Sequence, residues 1–141
     1  MKKLLPVLLF WGMLSPVLAA DRMLSVRSGW AYLSPNTQKL TVLFTVVNPT
    51  KNKDVMTEVV TPLADVVKIY ALSKRSDGIK RHQQIKQLEI LPFSVLQLDS
   101  AGYEVVLYNP KKTLQMGEKF PLFFTFEKAG DRKIMVEIKE K

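Results

Sequence analysis

The stretch "LTVLFTVV", residues 40–47, carries no charge, and its only polar groups are two threonine hydroxyls. A strand with one face in water alternates apolar and polar positions, but this run is apolar on both parities. It therefore predicts a strand covered on both faces, near the middle of a sheet. "FPLFFTF", residues 120–126, reads the same way.

Working outward from these two runs, apolar residues mostly recur with period two, and β-branched and aromatic types are plentiful. The spacing predicts strands at residues 23–27, 30–33, 39–48, 54–61, 65–74, 85–91, 94–98, 103–109, 119–127 and 132–139. "SPNTQ", "NPTKNKD", "KRSDG", "DSAG", "NPKKTLQMGE" and "EKAGD" fall between them and supply the Pro, Gly, Asn and Asp of turns. No segment sustains a long helical period. Short strands at this interval predict an all-β Greek-key sandwich or barrel, and no internal repeat or linker divides it.

The 141 residues fit one domain, after an N-terminal segment that is not part of it. "MKKLLPVLLFWGMLSPVLAAD" has two lysines, an apolar run and then small residues, the order of a secretory signal peptide. We expect residues 1–20 to be that leader and residues 21–141 the β-domain, with Val17 and Ala19 as the small residues of the cleavage site. The apolar run from Leu4 to Ala20 is broken by Pro6, Gly12 and Pro16, short of the roughly 20 residues of a spanning helix. No stable membrane span is therefore expected after cleavage. With no cysteine, neither a disulfide nor a lipid-carrying thiol is available. Loss of Lys2 and Lys3 with the leader takes the net charge from +8 to +6. The lysines are spread along the chain, without the arginine and aromatic clustering of a nucleic-acid groove.

Enzyme chemistry finds little to work with. The one histidine, His82, sits in "KRHQQIK", read as a solvated loop rather than the setting of a buried base. A zinc site needs three or four His, Cys or carboxylate ligands, and neither HExxH nor CxxC occurs. The six glycines are scattered at turns, so no phosphate loop exists. Asp99 and Glu104 could meet as a carboxylate pair, though a turn residue and a surface charge describe them as well. The composition predicts an exported β-domain that is not an enzyme.

The order of segments adds a resemblance. "AYLSPNTQKLTVLFTVVNPTKNKDVMTEVVTPLADVVKIY", then "DGIKRHQQI", then "AGYEVVLYNPKKTLQMGEKFPLFFTFEKAG" follow one another as in the periplasmic copper chaperones of the PCu(A)C family, small cupredoxin-like β-domains. Asn48 at the end of an apolar strand, Asp54 shortly after it, and the pattern Gly102, Leu107, Leu114, Gly117, Phe126 carry the likeness across most of the presumed mature chain. The resemblance implies a periplasmic location and a Cu(I) site of two histidines and two methionines. One His would end a strand, one Met would follow in a loop, and a His-x-Met pair would close the site, since alternate strand residues share a face and thioethers suit Cu(I). In this chain those places fall on Tyr70, near His82, and on Glu104 and Val106. All four ligands of the family pattern are replaced.

A substitute site of His82, Glu104 and Tyr70 would be harder in character, suiting Zn(II) or Cu(II), and the expectation is that no cofactor is held. Tyr70 and Val106 would then pack at the rim of the sandwich, with Glu104 and His82 in solvent. Methionines 23, 56, 116 and 135 read as core filler. A scaffold that lost its ligands is expected to serve contacts. Lys74, Arg75, Lys80, Arg81 and Lys86, opposed only by Asp77, are the candidate partner-binding residues, suited to an acidic protein or an envelope protein complex. The leading expectation is a periplasmic, non-enzymatic component of a cell-envelope assembly such as a secretion apparatus. The alternative is a copper chaperone delivering Cu(I) through displaced ligands.

Overall fold

The sheet is organised around one strand, β2, and its apolar character on both parities explains why. The computed structural model describes residues 23–35, 38–99 and 102–141; the expected leader, residues 1–20, lies outside them. The ten strands are β1 (Ser25–Leu33), β2 (Leu40–Asn48), β3 (Asp54–Val60), β4 (Ala64–Lys74), β5 (Lys80–Ile85), β6 (Leu88–Ile90), β7 (Ser94–Leu98), β8 (Tyr103–Pro110), β9 (Lys119–Phe126) and β10 (Gly130–Ile138). Hydrogen bonding runs in the order β5-β4-β8-β2-β1-β10-β9-β3-β6, with β7 added to β2. One edge of β2 pairs β1 from end to end. The other edge is shared, β8 taking Leu40–Val42 and β7 taking Phe44–Asn48. The all-β sandwich predicted from spacing is therefore present, and the two apolar runs are interior strands as expected, but they are not covered on both faces: Leu43, Thr45 and Val47 of β2 are partly exposed, and Phe123 of β9 is 39% exposed.

The first and last strands pair in parallel, Trp30 with Glu137 and Ala31 with Ile138, and so join the two halves of the sheet. Across the interior the halves meet through aromatic rings. Phe44 of β2 and Phe124 of β9 lie 4.8 Å apart at 59°, and Phe124 stacks on Phe126 at 6.4 Å. Val42, Val46, Val105, Leu107, Leu122 and Val136 fill the space around them and are fully buried. A ring at the centre of such a core contributes through area removed from water and through close packing.

Four local predictions need correction. The two short strands expected at 23–27 and 30–33 are one strand, β1, interrupted by a bulge where its register with β2 shifts between Arg27 and Trp30. Ser28 has a φ of 59° there, and a Cβ on Gly29 would come within 2.6 Å of Ile134 Cδ1, so a bulge explains the gap that patterning alone left between two strands. The strand expected at 85–91 is only the three-residue β6, and a strand not expected, β5, precedes it. "KRHQQI" is β5 and not a loop: it pairs β4 from Lys74–Lys80 to Ile69–Ile85. An edge strand is held by backbone bonds on one side and water on the other, so it need not show apolar alternation. Of the four methionines only Met56 is core; Met23, Met116 and Met135 are exposed.

One pole of the sandwich is fixed by two buried polar side chains. Asn48 donates from Nδ2 to the carbonyls of Asn52 (2.9 Å) and Leu91 (3.0 Å), and its Oδ1 accepts from Thr50 N (3.1 Å) and Thr50 Oγ1 (2.7 Å). Asp54 accepts from the backbone N–H groups of Val55 (2.8 Å), Lys128 (2.9 Å) and Ala129 (2.9 Å), tying β3 to the β9–β10 turn. These are the two polar residues that stood out in the sequence, and their task is structural. Removing Asp54 leaves buried donors without a partner, so Asp54→Ala is expected to cost about 2–4 kcal/mol of folding free energy. Phe124→Ala should cost about 3–5 kcal/mol through the cavity it opens. Urea unfolding followed by circular dichroism measures both; a change below about 0.5 kcal/mol for Asp54→Ala, the range of ordinary surface substitutions, would show that the pole is held by something else.

Candidate functional site

Cross-strand partners in a sheet share a face, and the register of five strands places the ligand-equivalent residues on one outer surface. Tyr70 of β4 lies opposite Glu104 of β8, Lys68 opposite Val106, and Val66 opposite Tyr108. On the other side of β4, Leu72 is level with His82 of β5. Val106 is level with Thr41 of β2, and Thr41 with Tyr32 of β1. The result is a cleft of about 440 Å³ whose lining includes Tyr32, Thr41, Tyr70, His82, Glu104 and Tyr108. Tyr70, His82, Glu104 and Val106, widely separated in the chain, are brought together.

Their roles differ from the sequence expectation. Val106 is buried beneath the cleft rather than at a rim. Glu104 does not stand in solvent: its side chain is only 15% exposed, and its Oε2 lies 3.5 Å from His82 Nε2, which is 54% exposed. Tyr70 meets the edge of the His82 ring at a centroid distance of 6.1 Å and 81°. Its hydroxyl shares a 2.6 Å hydrogen bond with that of Tyr108. Lys39 and Lys68 place their Nζ atoms 5.1 and 5.3 Å from the Tyr108 ring centroid, within the range of cation–π attraction. Tyr108 was missed in the sequence although period two was signal enough, since Glu104, Val106 and Tyr108 are alternate residues of one strand. Lys39, Lys68 and Tyr32 had no such signal, because only the register places them here.

The donor set does not fit Cu(I). The four positions offer a phenol, an imidazole, a carboxylate and a hydrocarbon, and no methionine lines the cleft, so the soft sulfurs that Cu(I) favours are missing. Among the described residues no three His, Cys, Asp or Glu gather as a metal ion would need. Among the described residues, too, no hydrogen bond joins His82 to a serine or threonine hydroxyl that it could activate as a nucleophile.

The candidate partner-binding residues lie beyond the open side of the cleft. Lys74 ends β4 and Lys80 begins β5 as its cross-strand partner, while Arg81 follows opposite Ser73. Arg75 is in the turn with its Nε 3.7 Å from Asp77 Oδ2, and Lys86 follows β5 directly. The side chains of Lys74, Arg75, Arg81 and Lys86 are exposed. The hairpin turn thus gathers Lys74, Arg75, Lys80 and Arg81, while Lys86 lies at the other end of β5.

Burial, then the Tyr70 hydrogen bond and the negative charge that Tyr70 and Glu104 can carry, push the Tyr108 hydroxyl from 10.0 up to about 12. The folded protein therefore holds this proton where the unfolded chain would release it. The resulting stability is intact below about pH 10 and is lost as pH rises toward 12. A spectrophotometric titration should show one tyrosine ionising well above the ordinary range, and Tyr70→Phe should bring it part of the way back, because burial remains. An unchanged titration in Tyr70→Phe would remove the hydroxyl pair as a cause.

Comparison with known proteins agrees with this geometry. The model of the LpqE-like family, a family described as lipoprotein LpqE-like, matches residues 24–138. Among solved structures, the "Apo PCuAC domain from PmoF1" superposes with a TM-score of 0.71 at 20% identity, covering 84% of this chain and 94% of that one. The "Copper-bound PCuAC domain from PmoF2" gives 0.68 at 17% identity, with coverages of 84% and 93%. The solution structure of Cu(I)-DR1885 from Deinococcus radiodurans gives 0.65 at 19%, with coverages of 84% and 77%. No curated protein is significantly similar in sequence. At these identities the solved structures establish the cupredoxin-like fold of PCuAC domains, while the family match spans nearly all the described residues: the chain belongs to the LpqE-like family.

Proposed function

We propose that this protein is an exported, non-enzymatic interaction component of a cell-envelope assembly, built on the PCuAC scaffold with the copper position given over to side-chain contacts. The observation that carries the reading is the replacement of the ligand set as a whole. Where the family pattern has two imidazoles and two thioethers, this chain has Tyr70, His82, Glu104 and Val106. Three of these side chains are engaged in the cleft, Tyr70 with Tyr108 and Glu104 with His82. A site vacated by drift would keep some donors and leave others idle. Here the Tyr70 hydroxyl is hydrogen-bonded to Tyr108 and Glu104 lies 3.5 Å from His82, contacts that stabilise the surface without an ion.

The basic β4–β5 hairpin supports a contact role. Three exposed cations at the turn, Lys74, Arg75 and Arg81, attract an acidic surface over roughly a Debye length and weaken with salt. An acidic protein of the envelope is the partner this chemistry suits. Periplasmic location rests on the leader-like N-terminus and on the family, and a secretion apparatus is one host of the right kind.

Two measurements test the reading. Titrated with Cu(I) against a competing chelator, the wild-type protein should take up none. The variant Tyr70→His/His82→Met/Glu104→His/Val106→Met should gain Cu(I) binding on the same scaffold. One tightly held equivalent of Cu(I) in the wild type would restore the copper-chaperone alternative. In the native envelope the protein should co-purify with a larger membrane-associated complex. Lys74→Glu/Arg75→Glu/Arg81→Glu/Lys86→Glu should release it, as should raised salt. Recovery only as a free monomer would overturn the assembly role.

A further inference from the structure

A half-buried ammonium group needs an acceptor, because water no longer surrounds it and its three N–H donors still have to be met. Lys39 and Lys68 are half-buried, whereas every other lysine whose side chain is described is exposed. Four of those exposed lysines, Lys53, Lys111, Lys112 and Lys139, have a carboxylate at 3.1–3.8 Å. The two that water covers least have none. Among the described residues neither Lys39 nor Lys68 makes an ion pair or a hydrogen bond; each makes only its contact with the Tyr108 ring.

Both reach the same place. Lys39 stands just before β2 and Lys68 lies in β4, the two strands that flank β8, and their Nζ atoms come 5.1 and 5.3 Å from the Tyr108 ring centroid. The ring attracts them but gives their N–H groups no oxygen to bond, and two like charges gathered at one ring repel each other. Glu104, the one acid in the described lining of the cleft, is turned to His82 at 3.5 Å. The cleft itself, about 440 Å³, has the size that small ligands occupy. Its walls add the hydroxyls of Ser34 and Thr41 and the rings of Tyr32 and Tyr70. Tyr70 and Tyr108 share one hydrogen bond, which uses one of their two hydroxyl protons and leaves the other to donate.

We propose that this cleft binds a small organic oxyanion, a carboxylate or a phosphate ester, whose charged group is met by the Lys39 and Lys68 ammonium groups and whose body lies against the tyrosine rings. The electrostatics select the class. A cation would be repelled by both ammonium groups, and a neutral ligand would leave both without a counter-charge. Lysine is a compact point charge without the fork that matches one planar geometry, so the site selects the charge of the head group rather than its shape. Glu104 opposes the anion from the Tyr70 end of the cleft, where the two are cross-strand partners. The site asks for no metal and does not depend on the assembly role.

NMR titration of the isotope-labelled full chain at low ionic strength, with benzoate and with phenyl phosphate, tests it. The amide signals of Lys39, Lys68 and Tyr108 should shift and saturate, with a dissociation constant of about 1 mM or below. Tighter binding of benzoate identifies a carboxylate ligand, and tighter binding of phenyl phosphate a phosphate ester. Acetate and inorganic phosphate, which lack a body, should bind more weakly. Lys39→Met and Lys68→Met should each weaken the better probe at least about tenfold. Neither should lower the melting temperature, since each removes a half-buried charge without a counter-charge, and that separates loss of the site from loss of the fold. Glu104→Gln should tighten binding by removing the opposing charge. Lys133→Met, which removes an exposed lysine 5.7 Å from the Phe123 ring, should leave binding unchanged. The proposal is overturned by no saturable shift with either aromatic probe up to about 10 mM, or by acetate or inorganic phosphate binding as tightly as its aromatic counterpart. Full affinity in either cleft lysine variant, weaker binding in Glu104→Gln, or an equal loss in Lys133→Met would also overturn it.

Discussion

Everything in this domain depends on burying the inward parity of β2, where Leu40, Val42, Phe44 and Val46 are at most 3% exposed. A strand this rich in apolar residues is unstable at a solvent-facing edge, so it collects neighbours. It takes β1 along one side, β8 and β7 in succession along the other, and β9 across the interior through the contact of Phe44 with Phe124. The parallel joint between β1 and β10 then brings in the second half of the sheet. The polar pole at Asn48 and Asp54 completes this arrangement rather than causing it: Asn48 is the last residue of β2, and its four hydrogen bonds fasten the loops that the strand's burial has already gathered.

The same register explains how a metal site can be lost without losing the fold. The ligand-equivalent residues stand on the outer face of β4, β5 and β8, while Ile69, Val105 and Leu107 on the opposite parity hold the core. Substitution on the outer parity leaves the inner one untouched, so the scaffold places no demand on what occupies the cleft. Its present occupants follow from ordinary rules for half-buried polar groups. Glu104 lies against His82, Tyr70 and Tyr108 share a proton-bearing contact, and the Lys39 and Lys68 ammonium groups rest over the Tyr108 ring. Burial that would be costly for any one of these groups is offset by its neighbours.

How much of this was legible in the sequence follows the kind of interaction involved. β2 and β9 were plain from their apolar runs, whose inward parity fills the core, although the outward parity of each stays partly exposed. Most of the other strands showed through period two and turn chemistry. β5 was hidden, since "KRHQQI" is held by backbone bonds to β4 and its side chains mostly meet water. The bulge at Ser28 and Gly29 was read as a gap for the same reason: hydrophobic patterning reports burial, not hydrogen bonding. In the cleft, the substitution of the ligand set was readable because a family pattern marked the places. The pairing of Glu104 with His82, and the presence of Lys39, Lys68 and Tyr32, depended on strand register, which no single segment encodes.

The cleft and the polar pole sit at opposite ends of β2. Thr41, in the wall of the cleft, and Asn48, in the pole, are seven residues apart along an extended strand, about 23 Å at the usual rise. Substitution in the cleft therefore leaves untouched the hydrogen bonds that fasten the loops at the other end of the strand, and the charge the cleft carries can change without moving the core between them.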